Sequence, residues 1–156
     1  MPPSFRLRFE TPADAAFVRA LLADMKAAEF APMGMPPEQL APLIEMQVGV
    51  FRAGLDADFP DARRQVAELD HGTPAGHLVV AQRAQGLLVV QIMVAPELRD
   101  QGIGTALLGT VLGEAATRAL PVRLKVSPFN PARRLYARLG FRDVARDGPA
   151  ILMQWG

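Results

Sequence analysis

The sequence contains no cysteine, which excludes disulfides, thiolate nucleophiles and cysteine-bound metals together. Histidine is almost as scarce. His71 and His77 are the only imidazoles, and they lack the i, i+4 spacing of a zinc-binding helix, so no metal is expected. There is one tyrosine, Tyr136, and one tryptophan, Trp155, beside eight phenylalanines, and aromatics are not interleaved with the basic residues as a nucleic-acid groove requires. No apolar run approaches the roughly 20 residues that span a bilayer, so no membrane partner is expected. The start, Met1-Pro2-Pro3-Ser4-Phe5-Arg6, has no charged segment leading into an apolar stretch, and neither a signal peptide nor a destination outside the cytoplasm is expected.

What is present fits one soluble globular domain over residues 1–156, because half of the residues are hydrophobic and the length suffices for one sizeable core. Net charge is only +1, but it is unevenly placed. Between Glu10 and Asp70 there are eleven acids against five bases, whereas Arg118 to Arg146 holds eight bases against the single acid Asp143. One part suits a polyanionic cofactor and the other a cationic acceptor, although solvated faces of opposite sign would look the same. A basic C-terminal helix would also allow nucleic-acid binding that weakens with salt, but the missing aromatics count against it.

The most informative stretch runs from Val89 to Leu108. Val89-Val90-Gln91-Ile92-Met93-Val94 reads as a buried strand, Ala95-Pro96-Glu97-Leu98-Arg99-Asp100-Gln101 as a loop, and Gly102-Ile103-Gly104-Thr105 as the opening of an Ala/Leu-rich helix. The first N–H groups of a helix lack intrahelical partners and carry partial positive charge, so a strand, a glycine turn and a helix start together make an anion site. Glycine at 102 and 104 lets a ligand reach the main chain. The same pair would also serve a tight turn with no ligand. A P-loop is excluded because Gly104-Thr105 lacks the lysine, and a dinucleotide fingerprint because Leu107 stands where a third glycine belongs.

Elsewhere, Ser4–Glu10 alternates Phe5, Leu7 and Phe9 with charged residues, as a half-buried strand does. Thr11-Pro12-Ala13-Asp14 starts a helix whose apolar face is Phe17, Val18, Leu21, Leu22 and Met25. A proline-broken connection from Phe30 to Pro37 leads to a second helix over about 37–54, followed by a turn-rich segment from Leu55 to Asp61. Strands follow at 64–70, 75–83 and 87–94, a helix at 102–119, a strand at Val122–Val126, a helix at 132–139 capped by Asn130 and Gly140, and a closing hairpin of 141–146 with 151–155. The order is β-α-α-β-β-β-α-β-α-β-β, one mixed α/β domain.

Two motifs in this order carry a resemblance. Val94-Ala95-Pro96-Glu97-Leu98-Arg99 followed by Gly102-x-Gly104 resembles the pyrophosphate loop of the GNAT superfamily of acetyl-CoA-dependent N-acetyltransferases. Asn130-Pro131-Ala132-Arg133-Arg134-Leu135-Tyr136, closing on Gly140-Phe141, resembles the same family's C-terminal signature, one helix and one strand later. The resemblance implies a mixed, mostly antiparallel central sheet with helices on both faces. It also implies acetyl transfer to a primary amine of a small molecule or protein, with a homodimer as a common assembly.

Residue by residue, the resemblance implies that the main chain at Met93 and Val94 holds the pantetheine arm, and that Arg99, Asp100, Gln101, Gly102, Ile103, Gly104 and Thr105 hold the pyrophosphate. It implies further that Asn130 touches the cofactor arm and Tyr136 is the general acid; a phenol of pKa about 10 keeps its proton at neutral pH. Arg133, by the fork geometry of its guanidinium, is a candidate for the 3′-phosphate, as are Arg134 and Arg138. Many relatives carry a carboxylate base on the central strand, where this chain has Val90 and Gln91. Gln91 cannot accept a proton but can hold a water or the substrate, and Glu29 and His77 are the remaining candidates for a base. An alternative follows from that gap: a CoA-binding module with little turnover, acting as a sensor or scaffold.

Overall fold

The structure, a computed structural model, describes residues 2–156, so Met1 of the expected domain lies outside the described residues. The expected order of elements is the observed one. β1 (Phe5–Phe9) leads through a 3-10 turn at Pro12–Asp14 into α1 (Ala15–Phe30). α2 (Pro37–Asp58), β2 (Arg63–Leu69), β3 (Pro74–Arg83) and β4 (Gly86–Val94) follow. The chain continues as α3 (Ile103–Thr117), β5 (Val122–Val126), α4 (Ala132–Arg138), β6 (Arg142–Asp147) and β7 (Ala150–Trp155).

Two expectations change. α2 runs a turn past Gly54, because Leu55 continues the apolar stripe of Val48 and Phe51 into the core and its carbonyl accepts from Phe59 N–H at 2.9 Å. In β1 the outermost apolar residue, Phe9, is 67% exposed. Arg8 is covered instead, tied to Asp14 at 2.8 Å and to Glu68 at 2.6 Å beneath the start of α1.

One seven-stranded sheet has the order β1-β2-β3-β4-β5-β7-β6, and β4 with β5 is its parallel pair. Successive side chains of a strand point to opposite faces, so the partners of neighbouring residues identify the layers. Ile92 and Val94 pack with Ile103 and Leu107 of α3, whereas Met93 packs with Val18, Leu21 and Leu22 of α1 and Val48 of α2. Helices therefore cover both faces: α3 and α4 one, α1 and α2 the other.

The register of β4 is broken once. Gln91 stands opposite Val79 and Val89 opposite Val80, which leaves Val90 as a bulge. The extra residue shifts the pleat by one, so Leu87 and Val89 share the α3 face with Ile92 and Val94. Beyond the bulge β4 also leaves β5. The parallel pairing covers only Leu87–Val89 against Val122–Leu124, and from Val90 onward the two strands splay apart in the middle of the sheet.

Candidate active site

The splay exposes main-chain groups of β4 that a continuous sheet would use. Ala95 N–H donates to Ala75 O at 2.8 Å, and in an antiparallel ladder the hydrogen-bonded pairs alternate, so Met93 pairs with His77 across β3. The polar groups of Ile92 and Val94 therefore point away from β3 into the splay. The Val94 carbonyl accepts from Arg99 Nε at 3.2 Å, leaving the Val94 N–H facing the opening. Of the two expected main-chain sites, Val94 thus faces the splay, while the Met93 backbone is engaged with β3 and its side chain is buried against α1 and α2.

The loop from β4 to α3 ends at the same place. Asp100 and Gly102 adopt left-handed conformations (φ +63° and +84°), which Asp tolerates and glycine adopts without strain. No side chain caps α3 at Gly102, and no acidic residue lies in its first turn, so among the described residues the leading N–H groups at Ile103, Gly104 and Thr105 have no side-chain acceptor. Gly104 is not required by the fold. A Cβ built there would meet nothing nearer than Val94 Cγ2 at 3.8 Å, an ordinary contact. Gly104 therefore leaves unused room above an uncapped helix start, beside the splay. Gln101 and Thr105 are exposed along the same turn, and Arg99 braces it to α1 through Asp24 at 2.8 Å.

α4 carries the second expected group. Asn130 caps it as expected, Oδ1 accepting from Ala132 N–H at 2.9 Å, so its side-chain oxygen is already engaged. The helix ends in a Schellman arrangement: Phe141 N–H donates to Tyr136 O at 3.0 Å, Gly140 N–H to Ala137 O at 3.1 Å, and Gly140 has φ +104°. The Phe141 ring packs on Tyr136 with centroids 6.0 Å apart, so the turn fixes the phenol within the core cluster that includes Leu108 of α3 and Val126 of β5. Tyr136 is 8% exposed, and burial pushes its pKa up, so its proton is retained at neutral pH.

The sequence model of the acetyltransferase (GNAT) family matches residues 34–141. The chain belongs to the GNAT acetyltransferase family. PaiA N-acetyltransferase from Thermoplasma acidophilum, solved in complex with coenzyme A, shares the fold with a TM-score of 0.74 over 97% of this chain and 98% of that one, at 18% identity. Nourseothricin acetyltransferase is 35% identical over 62% of this chain and 65% of its own, with a TM-score of 0.52. Mycothiol acetyltransferase of Actinosynnema mirum is 41% identical over 69 residues, 44% of this chain and 23% of that protein, so the match spans less than a quarter of its length.

Not every residue expected in this GNAT site is free for it. Arg133 has partners within the protein: its guanidinium donates to Pro128 O at 3.1 Å and to Asp143 Oδ2 at 2.9 Å, bracing the loop before α4 against β6. The two bonds turn the fork toward β6 and the loop, while its buried Nε has no partner among the described residues. Arg134 and Arg138 form no ion pair among the described residues and remain exposed. Glu29 lies on the surface with Lys26 at 3.3 Å. A hollow of about 330 Å³ between Ala115, Ala119, Pro121 and Trp155 lies at the far end of α3 from its uncapped start and is separate from the site.

The other face of the splayed strand buries two polar side chains beside the apolar cluster of Met93. Gln91 is 7% exposed; Nε2 contacts Met93 Sδ at 3.4 Å, and no protein donor reaches its Oε1. His77, opposite Met93, is 1% exposed, and its Nε2 is hydrogen-bonded to Glu10. Glu10 was not among the expected residues. It stands 67 positions from His77, and no local spacing links a residue just past the end of β1 to one in β3.

Proposed function

We propose that the protein transfers an acetyl group from acetyl-CoA to a primary amine of a small molecule or protein, by direct attack. The observation that carries this reading is the uncapped start of α3, with room at Gly104, set beside the splay of β4 and β5. A linear cofactor with an anionic group near one end and a reactive group at the other matches that pair of features. Acetyl-CoA supplies an activated acyl group as a thioester. The names of the relatives at 35% and 41% identity, nourseothricin and mycothiol acetyltransferase, favour a small-molecule acceptor.

In this reading the N–H groups of Ile103, Gly104 and Thr105 receive the pyrophosphate, with Asp100, Gln101 and Gly102 shaping the loop around it. The main-chain groups of Ile92 and Val94 bind the arm between the splayed strands, and a donor there stabilises charge developing on the acyl oxygen. Arg99 holds the Val94 carbonyl in place. Tyr136 offers its phenolic proton to the leaving sulfur.

The test is thermal unfolding with and without acetyl-CoA, joined to a thiol-release assay over a panel of primary amines. A ligand at 100 times its dissociation constant adds about 2.7 kcal/mol, which raises the midpoint of a domain this size by several degrees. We expect that shift in the wild type and in Tyr136→Phe, with turnover reduced about 10²-fold or more in the variant. No shift removes the cofactor assignment. Equal turnover removes Tyr136 from the chemistry. A shift without thiol release on any amine favours the second reading, a silent CoA binder, to which the glutamine at 91 lends support.

A further inference from the structure

The row of side chains beneath α1 and α2 contains two polar atoms that no group among the described residues satisfies, Nδ1 of His77 and Oε1 of Gln91. Both residues are more than nine-tenths buried. They share a face of the sheet: His77 is opposite Met93, and Gln91 is the diagonal neighbour two residues along β4. In antiparallel sheets such neighbours are about 7–8 Å apart, within reach of long side chains, and the Met93 thioether, in contact with Gln91 Nε2 at 3.4 Å, lies beside both.

Their chemistry is also alike. The Glu10 carboxylate accepts from Nε2, which places the imidazole proton there and leaves Nδ1 with its lone pair. An amide Oε1 is likewise an acceptor. Two buried acceptors without donors call for a group with several N–H or O–H bonds, and a protonated amine is such a group. Burial holds the pKa of His77 below the usual histidine value, with Arg64 acting in the same direction and Glu10 and Asp14 against it. The ring is therefore neutral at pH 7, and the contact with Glu10 is what favours its charged form once a proton is taken.

Resting on the acetyltransferase reading above, we propose that His77, oriented by Glu10, and Gln91 form the ammonium-receiving site, and that His77 Nδ1 deprotonates the acceptor amine in place of a carboxylate on β4. One N–H bond of the R–NH3+ group breaks and the Nδ1–H bond forms, leaving the electron pair on nitrogen. That pair forms the new C–N bond as the C–S bond breaks. The second proton shed by nitrogen balances the departing thiol, and the imidazolium, held against Glu10, returns its proton to solvent. Gln91 positions the amine and exchanges no proton.

The experiment combines long-range 1H–15N NMR of the two imidazoles in the full chain with pH–rate profiles of thiol release on the amine panel. His71 lies in the exposed turn between β2 and β3, so His71→Asn assigns the spectrum. We expect His77 neutral at pH 7 with its proton on Nε2. In His77→Gln we expect kcat lower by about 10²-fold at pH 7 and recovering as pH approaches the amine's own pKa. Glu10→Gln should move the acid limb of the profile, and Gln91→Leu should raise KM for the amine more than it lowers kcat. Glu10→Gln carries the pH arm should His77→Gln unfold.

A proton found on Nδ1, or an unchanged acid limb in both variants, overturns the proposal. So does the absence of turnover on every amine when the acetyl-CoA shift is present. Loss of that shift in the wild type overturns the cofactor reading instead, and the two failures are thus distinct.

Discussion

Gly102 and Gly104 stand two positions apart and are glycines for different reasons. Gly102 sits at φ +84°, so its lack of a side chain serves the backbone; Gly104 has no such need, since a Cβ there meets only ordinary contact. Alanine inside a helix is worth roughly 0.5–1 kcal/mol over glycine. Gly104→Ala is therefore expected to raise the melting temperature while weakening acetyl-CoA binding, because in the proposed function the methyl group stands where the anion approaches. Calorimetry of the apo variant beside a binding titration checks both signs, and a variant that binds as well as the wild type contradicts the loop assignment. The motif identifies these glycines without separating the two roles. Local dihedrals and distances do that.

Elements fix side chains in ways that single residues cannot. The C-terminal turn of α4 ties the Tyr136 carbonyl to Phe141 N–H and lays one ring on the other, and it depends on Gly140 at φ +104°. A Cβ at Gly140 would also lie 3.1 Å from Trp155 Cδ1, closer than a comfortable contact. Gly140→Ala is expected to cost about 1–2 kcal/mol from the left-handed backbone alone and to lower kcat more than it weakens acetyl-CoA binding. Denaturant unfolding and steady-state kinetics on the one variant check the pair; loss of stability with unchanged kcat would show that the turn supports the fold and not the phenol. Asn130, Gly140 and the helix between them were evident from capping chemistry. The bulge at Val90 was not: a run of Val, Val, Gln, Ile, Met and Val pairs equally well without one, and only the register against β3 reveals it.

Across the molecule, charge is organised in two ways. The exposed arginines near the C-terminus form no network of their own, but Arg8 on β1 gathers Asp14 and Glu68 from two other elements beneath α1. Hydrogen bonding to the Arg8 guanidinium pulls the Asp14 carboxyl down to about 2 from its ordinary value of 3.8. The folded state then binds its proton less readily than the unfolded chain, so the stabilisation is complete above about pH 4 and is lost as pH falls toward 2. It amounts to about 2 kcal/mol for this buried group. Asp14→Asn is expected to flatten the acid limb of a stability–pH curve over that window, and an unchanged limb would assign the acid sensitivity to other carboxylates.

From the linear order of residues alone follow the succession of elements and the two motifs, whose resemblance implies the mixed sheet, because capping, alternation and glycine placement are local and survive without tertiary contacts. Element ends were less secure: α2 outruns Gly54 since burial of Leu55 outweighs the local preference to stop. Nor could the order of residues show that Arg133 is held by Asp143, that β4 parts from β5 at Val90, or that Glu10 lies against His77. Those facts belong to strand register and to pairs far apart in sequence, and a chain fixes them only when its sheet has closed around them.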